Sequence, residues 1–235
     1  MYKWLLLVLF PIIGNSQETF KAATKIKAAA LPAGLKFRGK LNEIWQWQDK
    51  LGNNLLITSV LGPYAAKGGQ TDDTKTIELF AVHYVKKDTG YKALWRLNDI
   101  VKECELDLTC EFIRNSTTIT DLDQDSIAET KVQYKTGCRG DVSPSYMKLI
   151  MHEDTMKYAL RGNMWIAGAG GDTVFKVTER NVNLEKLASP KAEMAPYEQT
   201  LGRYETEKDF RKAPATFLPF ARHEWVKYAK ESFDE

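Results

Sequence analysis

The chain has 235 residues, 43% of them hydrophobic, with 33 Lys and Arg against 31 Asp and Glu for a formal net charge of +2. That length holds one large domain or two small ones and can bury a full core. The basic residues are spread out, which leaves no electrostatic footprint for nucleic acid and no polybasic patch for a membrane surface.

The chain opens with MYKWLLLVLFPIIGNSQ: one Lys, an apolar run from Trp4 to Ile13, then small and polar residues. This is the layout of a secretory signal peptide over residues 1–17, with cleavage near Ser16 or Gln17. The run is too short to span a bilayer comfortably. No Cys directly follows it, which argues against a lipid anchor, and no second long apolar run occurs. The expected mature chain, roughly 218 residues, is soluble and exported, with no membrane span once the signal is removed. Its location is periplasmic, cell-surface or secreted.

From residue 40 the pattern alternates with period two. EIWQWQD puts Trp45 and Trp47 on one face, and NLLITSV follows the turn signal DKLGN. TIELFAVHYVK and YKALWRL flank KKDTG, whose Asp-Thr-Gly reads as a hairpin turn. IAETKVQY places Ala128, Val132 and Tyr134 in phase, and YMKLIMHEDTMKYALR reads as strand, turn, strand. D-T-x-x-x-A-L occurs at both 88–94 and 154–160, the mark of a repeated hairpin unit. After ASPKAEMAP the composition turns helical. PYEQTLGRYETEKDFRK spaces Leu201, Tyr204 and Phe210 near a helical period, weakened by Gly202. PATFLPFARHEWVKYAKESF sets Phe217, Phe220, Trp225, Tyr228 and Ala229 near one helical face, with Pro219 in the first turn. The expected fold is mainly β, built of antiparallel hairpins as a meander, sandwich or propeller-like sheet. Residues 18–185 form the β-rich domain, and 186–235 a helical segment packed on the sheet.

Three cysteines, Cys104, Cys110 and Cys138, in an exported chain imply one disulfide and one leftover thiol. A Cys104–Cys110 bond would close a short loop. A bond from either to Cys138 would tie that loop to the segment beyond the acidic stretch, and spacing does not choose. The spacings lack C-x-x-C and have no nearby His, so zinc is disfavoured.

The densest chemistry is in TTITDLDQDSIAETKVQY, residues 117–134. Asp121, Asp123 and Asp125 alternate and Glu129 follows, four carboxylates in nine residues between strand-like flanks. Unneutralised, they repel. Calcium takes several oxygen ligands at once, and positions 1, 3, 5, 7 and 9 of a coiled loop supply them: Asp121, Asp123, Asp125, the Ile127 carbonyl and Glu129. This is not an EF-hand. Position 12 is Val132, position 6 is Ser126 rather than Gly, and the flanks are strands. Mg²⁺ prefers fewer carboxylates and retained waters. A glycosidic acid–base pair faces across a cleft instead of crowding one loop.

The loop resembles the D-x-D-x-D-(G/S)-x-x-(D/E) calcium loops of FG-GAP and VCBS-type repeats in extracellular β proteins. More widely, DLDQDSIAE, YKTGCRGDVSP and KLIM resemble a family of exported bacterial proteins labelled "surface polysaccharide biosynthesis protein", with a looser match from about residue 40 to the C-terminal helix. The resemblance implies pairing of Cys104 with Cys138, leaving Cys110 free.

The remaining motifs are weak. Arg139–Asp141 spells RGD, but Asp141 also suits a cap for the turn before Pro144. NST at 115–117 fits a glycosylation acceptor, and GAGGD at 168–172 lacks the Lys of a phosphate loop. His83 and His152 sit in strand-like runs, where a histidine is more often a polar partner than a base, and His223 is remote in sequence. Trp45, Trp47 and Trp95 are the candidates for stacking on a sugar, with a Trp-rich core as the competing reading. Together these features imply an exported, calcium-stabilised, non-enzymatic binding protein of the cell envelope or medium, its partner a glycan or envelope protein. The alternatives are an enzyme acting on envelope polysaccharide and an assembly factor docking through its C-terminal helix.

Overall fold

The computed structural model describes residues 19–65, 74–166, 177–187 and 198–231. The signal segment and GAGGD lie outside the described residues. The described chain is mainly β and antiparallel, as its alternation demands.

The first sheet is a five-stranded meander of β1 (Lys21–Lys25), β2 (Lys40–Asp49), β3 (Gly52–Ala65), β4 (Lys75–Lys87) and β5 (Gly90–Cys104), adjacent in chain order. The second runs β10 (Met156–Asn163), β9 (Tyr146–Glu153), β8 (Glu129–Arg139) and β6 (Asp107–Phe112), with β7 (Thr118–Thr120) also on β8. Both copies of D-T-x-x-x-A-L are hairpin turns: Lys87 pairs with Gly90, and Glu153 with Met156.

Side chains alternate across each strand, so each sheet buries two different sets. Trp47, Leu56, Leu79, Ala81, Trp95 and Leu97 of the first sheet pack against Cys110, Val132, Tyr134, Ile150 and Ala159 of the second. On the outer face of the first sheet, Ile44, Leu55, Ile57, Val82 and Tyr84 are covered by Ile26, Leu31 and Leu35. On the outer face of the second, Met147, Leu149, Met151, Tyr158 and Leu160 meet Phe217, Ala221 and Trp225 of helix α1 (Phe217–Tyr228). The result is a β-sandwich with a helix on one side and the N-terminal segment on the other. Pro219 falls in the helix's first turn, where its missing N–H costs no hydrogen bond.

The disulfide joins Cys104 at the end of β5 to Cys138 on β8, with Cα atoms 5.6 Å apart, and so links the two sheets. Cys110 is free and buried.

The stretch expected to be a second helix is not one. Residues 198–210 form short 3-10 turns, Glu198–Thr200 and Lys208–Phe210. Between them Tyr204 makes bridges to Gly162 and Asn183. Gly202 holds φ at +69°, and a Cβ there would lie 2.5 Å from Val177 Cγ2, so this glycine is the tight turn that ends any helix. After α1, β12 (Lys230–Glu231) pairs in parallel with β11 (Trp165–Ile166). No described helix is long and apolar enough to cross a membrane.

Candidate metal centre

The acidic stretch is the connection from β7 to β8, and its coil is built by its own side chains. The Asp125 N–H donates to Asp123 Oδ1 at 3.3 Å, and the Ile127 N–H to Asp125 Oδ1 at 2.7 Å. Such bonds to an Asp two residues back are the usual device for holding a tight turn. Gln124 and Ser126 lie in the left-handed region, with φ of 63° and 69°. Ser126 therefore occupies the conformation that Gly prefers at position six.

Two overlapping groups of carboxylates result. Asp121, Asp123 and Glu129 form one; Asp123, Asp125 and Glu153 form the other. In each, one oxygen per residue lies within 4.8 Å of the other two, and each group can hold a metal ion. Asp123 belongs to both. Glu153 was not among the residues expected from sequence. It reaches the site because β8 and β9 pair in a register that sets Glu129 directly opposite Glu153. The structure thus divides the four expected carboxylates between two centres and adds a fifth from the neighbouring hairpin.

The electrostatics are those of a crowded anionic site. Glu129 is buried and accepts from the Leu122 N–H at 3.0 Å and the Thr120 hydroxyl at 2.9 Å. Burial nevertheless dominates, and with Asp123 beside it the carboxyl is pushed up to about 7. Glu153 is pushed up to about 7 by burial first, then by the negative charges of Asp123 and Asp125. Asp121 Oδ1 and Glu153 Oε1 are buried without a hydrogen-bond partner among the described residues. Buried oxygens of this kind gain most from a cation.

The site is stitched to the other sheet. The Lys50 N–H donates to the Ser126 carbonyl at 2.8 Å. Asp49, fully buried on β2, accepts from the Ala128 N–H at 3.1 Å, Trp47 Nε1 at 2.9 Å, the Leu51 N–H at 2.8 Å and Asn54 Nδ2 at 2.8 Å. Four donors satisfy this buried carboxylate. Asn54 Oδ1 in turn meets His83 Nε2 at 2.8 Å.

The tryptophan platform is corrected by the structure. Trp47 and Trp95 are 3% and 8% exposed and belong to the core between the sheets. Trp95 stacks on His152 at 4.0 Å and meets His83 edge-on, while His83 also lies against Trp47. Trp45 shares a face with Trp47 but is half-buried, with Nε1 bonded to Glu43 and Lys25 over its ring. Trp47 and Trp95 present no exposed aromatic face, because their area is worth more in the core than in water. Arg139 of the RGD triplet is ion-paired to buried Glu231, and Asp141 accepts from the Ser143 N–H at 3.1 Å. That triplet is a structural turn.

No family model, no curated protein and no solved structure matches this chain.

Proposed function

We propose that the acidic corner binds calcium and that the chain is an exported, calcium-stabilised binding protein of the cell envelope or medium, with a surface glycan or envelope protein as its partner. One observation carries the metal reading: five carboxylates from two adjacent hairpins converge so that Asp123 is shared by two groups of ligand oxygens. The donor set is all oxygen, which suits a hard cation, and it is too rich in carboxylates for Mg²⁺. The loop spacing assigns the Ile127 carbonyl as a further oxygen ligand. A cation here cross-links the β7–β8 connection to the β9–β10 hairpin, and through Lys50 and Asp49 braces both against the first sheet.

Two further features support the reading. An inter-sheet disulfide is the bond an oxidising compartment forms. The carboxylates sit on one loop and on the two paired strands beside it, β8 and β9, instead of on opposing walls, which suits a structural ion better than glycosidic acid–base work.

The test is thermal unfolding in EGTA and in graded Ca²⁺ or Mg²⁺. Calcium at a hundredfold excess over Kd adds about 2.7 kcal/mol. For a chain of this size that is a Tm rise of roughly 5–11 °C. Magnesium is expected to give a smaller rise, and Asp123→Ala, which removes the shared ligand, none. An EGTA-treated wild type that melts with the calcium-loaded protein ends the metal proposal. A glycan array probed with the calcium-loaded protein tests the binding role separately.

A further inference from the structure

We infer that a cationic cleft at the flank of the sandwich is a binding site for an oxyanion carried on a small polar molecule. The edge strands β5 and β10 bound an opening of about 290 Å³ whose lining includes Asp99, Tyr134, Lys148, Ile150, Lys157 and Arg161. That volume is at the lower end for small-molecule sites, enough for one compact ligand or one unit of a chain.

Strand alternation explains how the cations come together. Lys157, Ala159 and Arg161 share one face of β10, and Ala159 places that face toward the inter-sheet core. Lys148 and Ile150 do the same on β9, with Arg161 directly opposite Lys148. Three cations thus point into the gap between the sheets, where the chain elsewhere puts apolar groups.

The anions present do not balance them. Asp99 is engaged by both the Lys148 ammonium and the Tyr134 hydroxyl, the latter at 2.8 Å. Arg161 Nη1 meets Asp209 at 3.0 Å, which leaves its other donors for a second acceptor. Lys157 is in no ion pair among the described residues. Its ammonium is held below the ordinary value, first by desolvation and then by the positive charge of Arg161. Like charges gathered in a cleft with low-dielectric walls focus a positive potential, and an entering anion relieves their repulsion.

Edge protection is the competing account, since inward-pointing charge also discourages strand-to-strand association. It explains Lys157 but not Lys148, whose side chain is only 23% exposed and fixed to Asp99 within the cleft. A carboxylate, a sulfate and a phosphate all fit these donors, so the probes must separate them.

The experiment is calorimetric and NMR titration of the calcium-loaded protein at pH 7 with glucuronate, sulfate and phosphate. Glucose and matched-ionic-strength chloride are the controls. Glucuronate is expected to saturate while glucose and chloride do not, with shifts at Lys148, Lys157 and Arg161. Lys157→Gln, at an exposed position whose loss leaves no buried charge, is expected to weaken binding about tenfold and to leave the calcium response of the Tm intact. Saturation by sulfate or phosphate alone keeps the site and assigns a sulfated or phosphorylated ligand. Equal response of wild type and Lys157→Gln to every anion overturns the inference, as does aggregation of the variant with unchanged anion binding. The anion titrations, repeated in EGTA, stand whether or not the acidic corner takes calcium, so this inference and the metal proposal fail separately.

Discussion

Ser126 carries a conformational cost that its neighbours impose. With φ at 69° it sits where a Cβ is disfavoured by roughly 1–2 kcal/mol. Glycine escapes that cost but loses more entropy on folding, so Ser126→Gly is expected to gain about 0.5–1 kcal/mol net. Chemical denaturation in EGTA measures it. A loss of stability would mean that the Ser126 side chain has a role beyond its backbone. Glu153 is the residue with the sharpest two-sided outcome. In the calcium-free protein it adds charge to a repelling cluster, so Glu153→Gln should raise the Tm there. In calcium the same change removes a ligand, and affinity should fall about tenfold, or about 1.4 kcal/mol. Equal melting of wild type and variant in both conditions would exclude Glu153 from the site. Asp121, Asp123, Asp125 and Glu129 were legible because they are neighbours in sequence. Glu153 was not, because only the register of β8 against β9 places it opposite Glu129.

At the scale of elements, helix α1 was legible and its surroundings only partly. Of its expected face, Phe217 and Trp225 are wholly buried against the second sheet and Ala229 lies buried just beyond the helix, while Phe220 and Tyr228 are only partly covered and Ala221 completes the buried stripe. The same spacing at Leu201, Tyr204 and Phe210 misled, since three apolar residues also suit consecutive turns pressed onto β10. Gly202 was the mark against a helix that the sequence carried, and Gly162 supplies the rest of the reason, because a Cβ there would lie 2.1 Å from the Arg203 carbonyl. What pattern could not show is how α1 is anchored. Glu224 meets Lys131 of β8 at 2.5 Å with both side chains nearly inaccessible, and Lys131 also bonds Gln133 at 2.9 Å. Desolvation pulls the Lys131 ammonium down to about 8, with Glu224 resisting. Removing one partner strands the other, so Glu224→Ala should cost about 3–5 kcal/mol. Lys131→Met with Glu224→Leu should recover most of it, because a buried pair gains little over a well-packed apolar one. Urea unfolding of Lys131→Met, Glu224→Leu and the double measures the coupling, and additive losses would refute it.

For the whole molecule, alternation announced antiparallel hairpins but not their division into two sheets or which faces would meet. That choice put Trp47 and Trp95 inside together with His83 and His152, and it is the choice that makes the fold acid-sensitive. His83 is 1% exposed, and its Nδ1 is buried with no hydrogen-bond partner among the described residues. A proton placed there would put charge in an apolar core beside Trp47 and Trp95. Burial accordingly pulls His83 down to about 3, with His152 contributing, and His152 falls to about 3 through burial and Lys157. The folded state thus refuses a proton that the unfolded chain accepts near 6.5. The stability from a neutral His83 is fully present above pH 6.5 and is lost as pH falls towards about 3, by at most about 1.4 kcal/mol per pH unit. Glu129 and Glu153 act in the opposite direction in metal-free protein. Raised to about 7, they bind protons in the folded state that the unfolded chain releases, so their contribution falls as pH rises from 4.5 to 7. A single pH profile therefore mixes both. Comparing wild type with His83→Gln in EGTA separates them, because the carboxylates are common to both proteins and cancel in the difference. That difference should be flat above pH 7 and slope steadily below pH 6. A difference independent of pH would show that His83 takes its proton in the folded core without penalty.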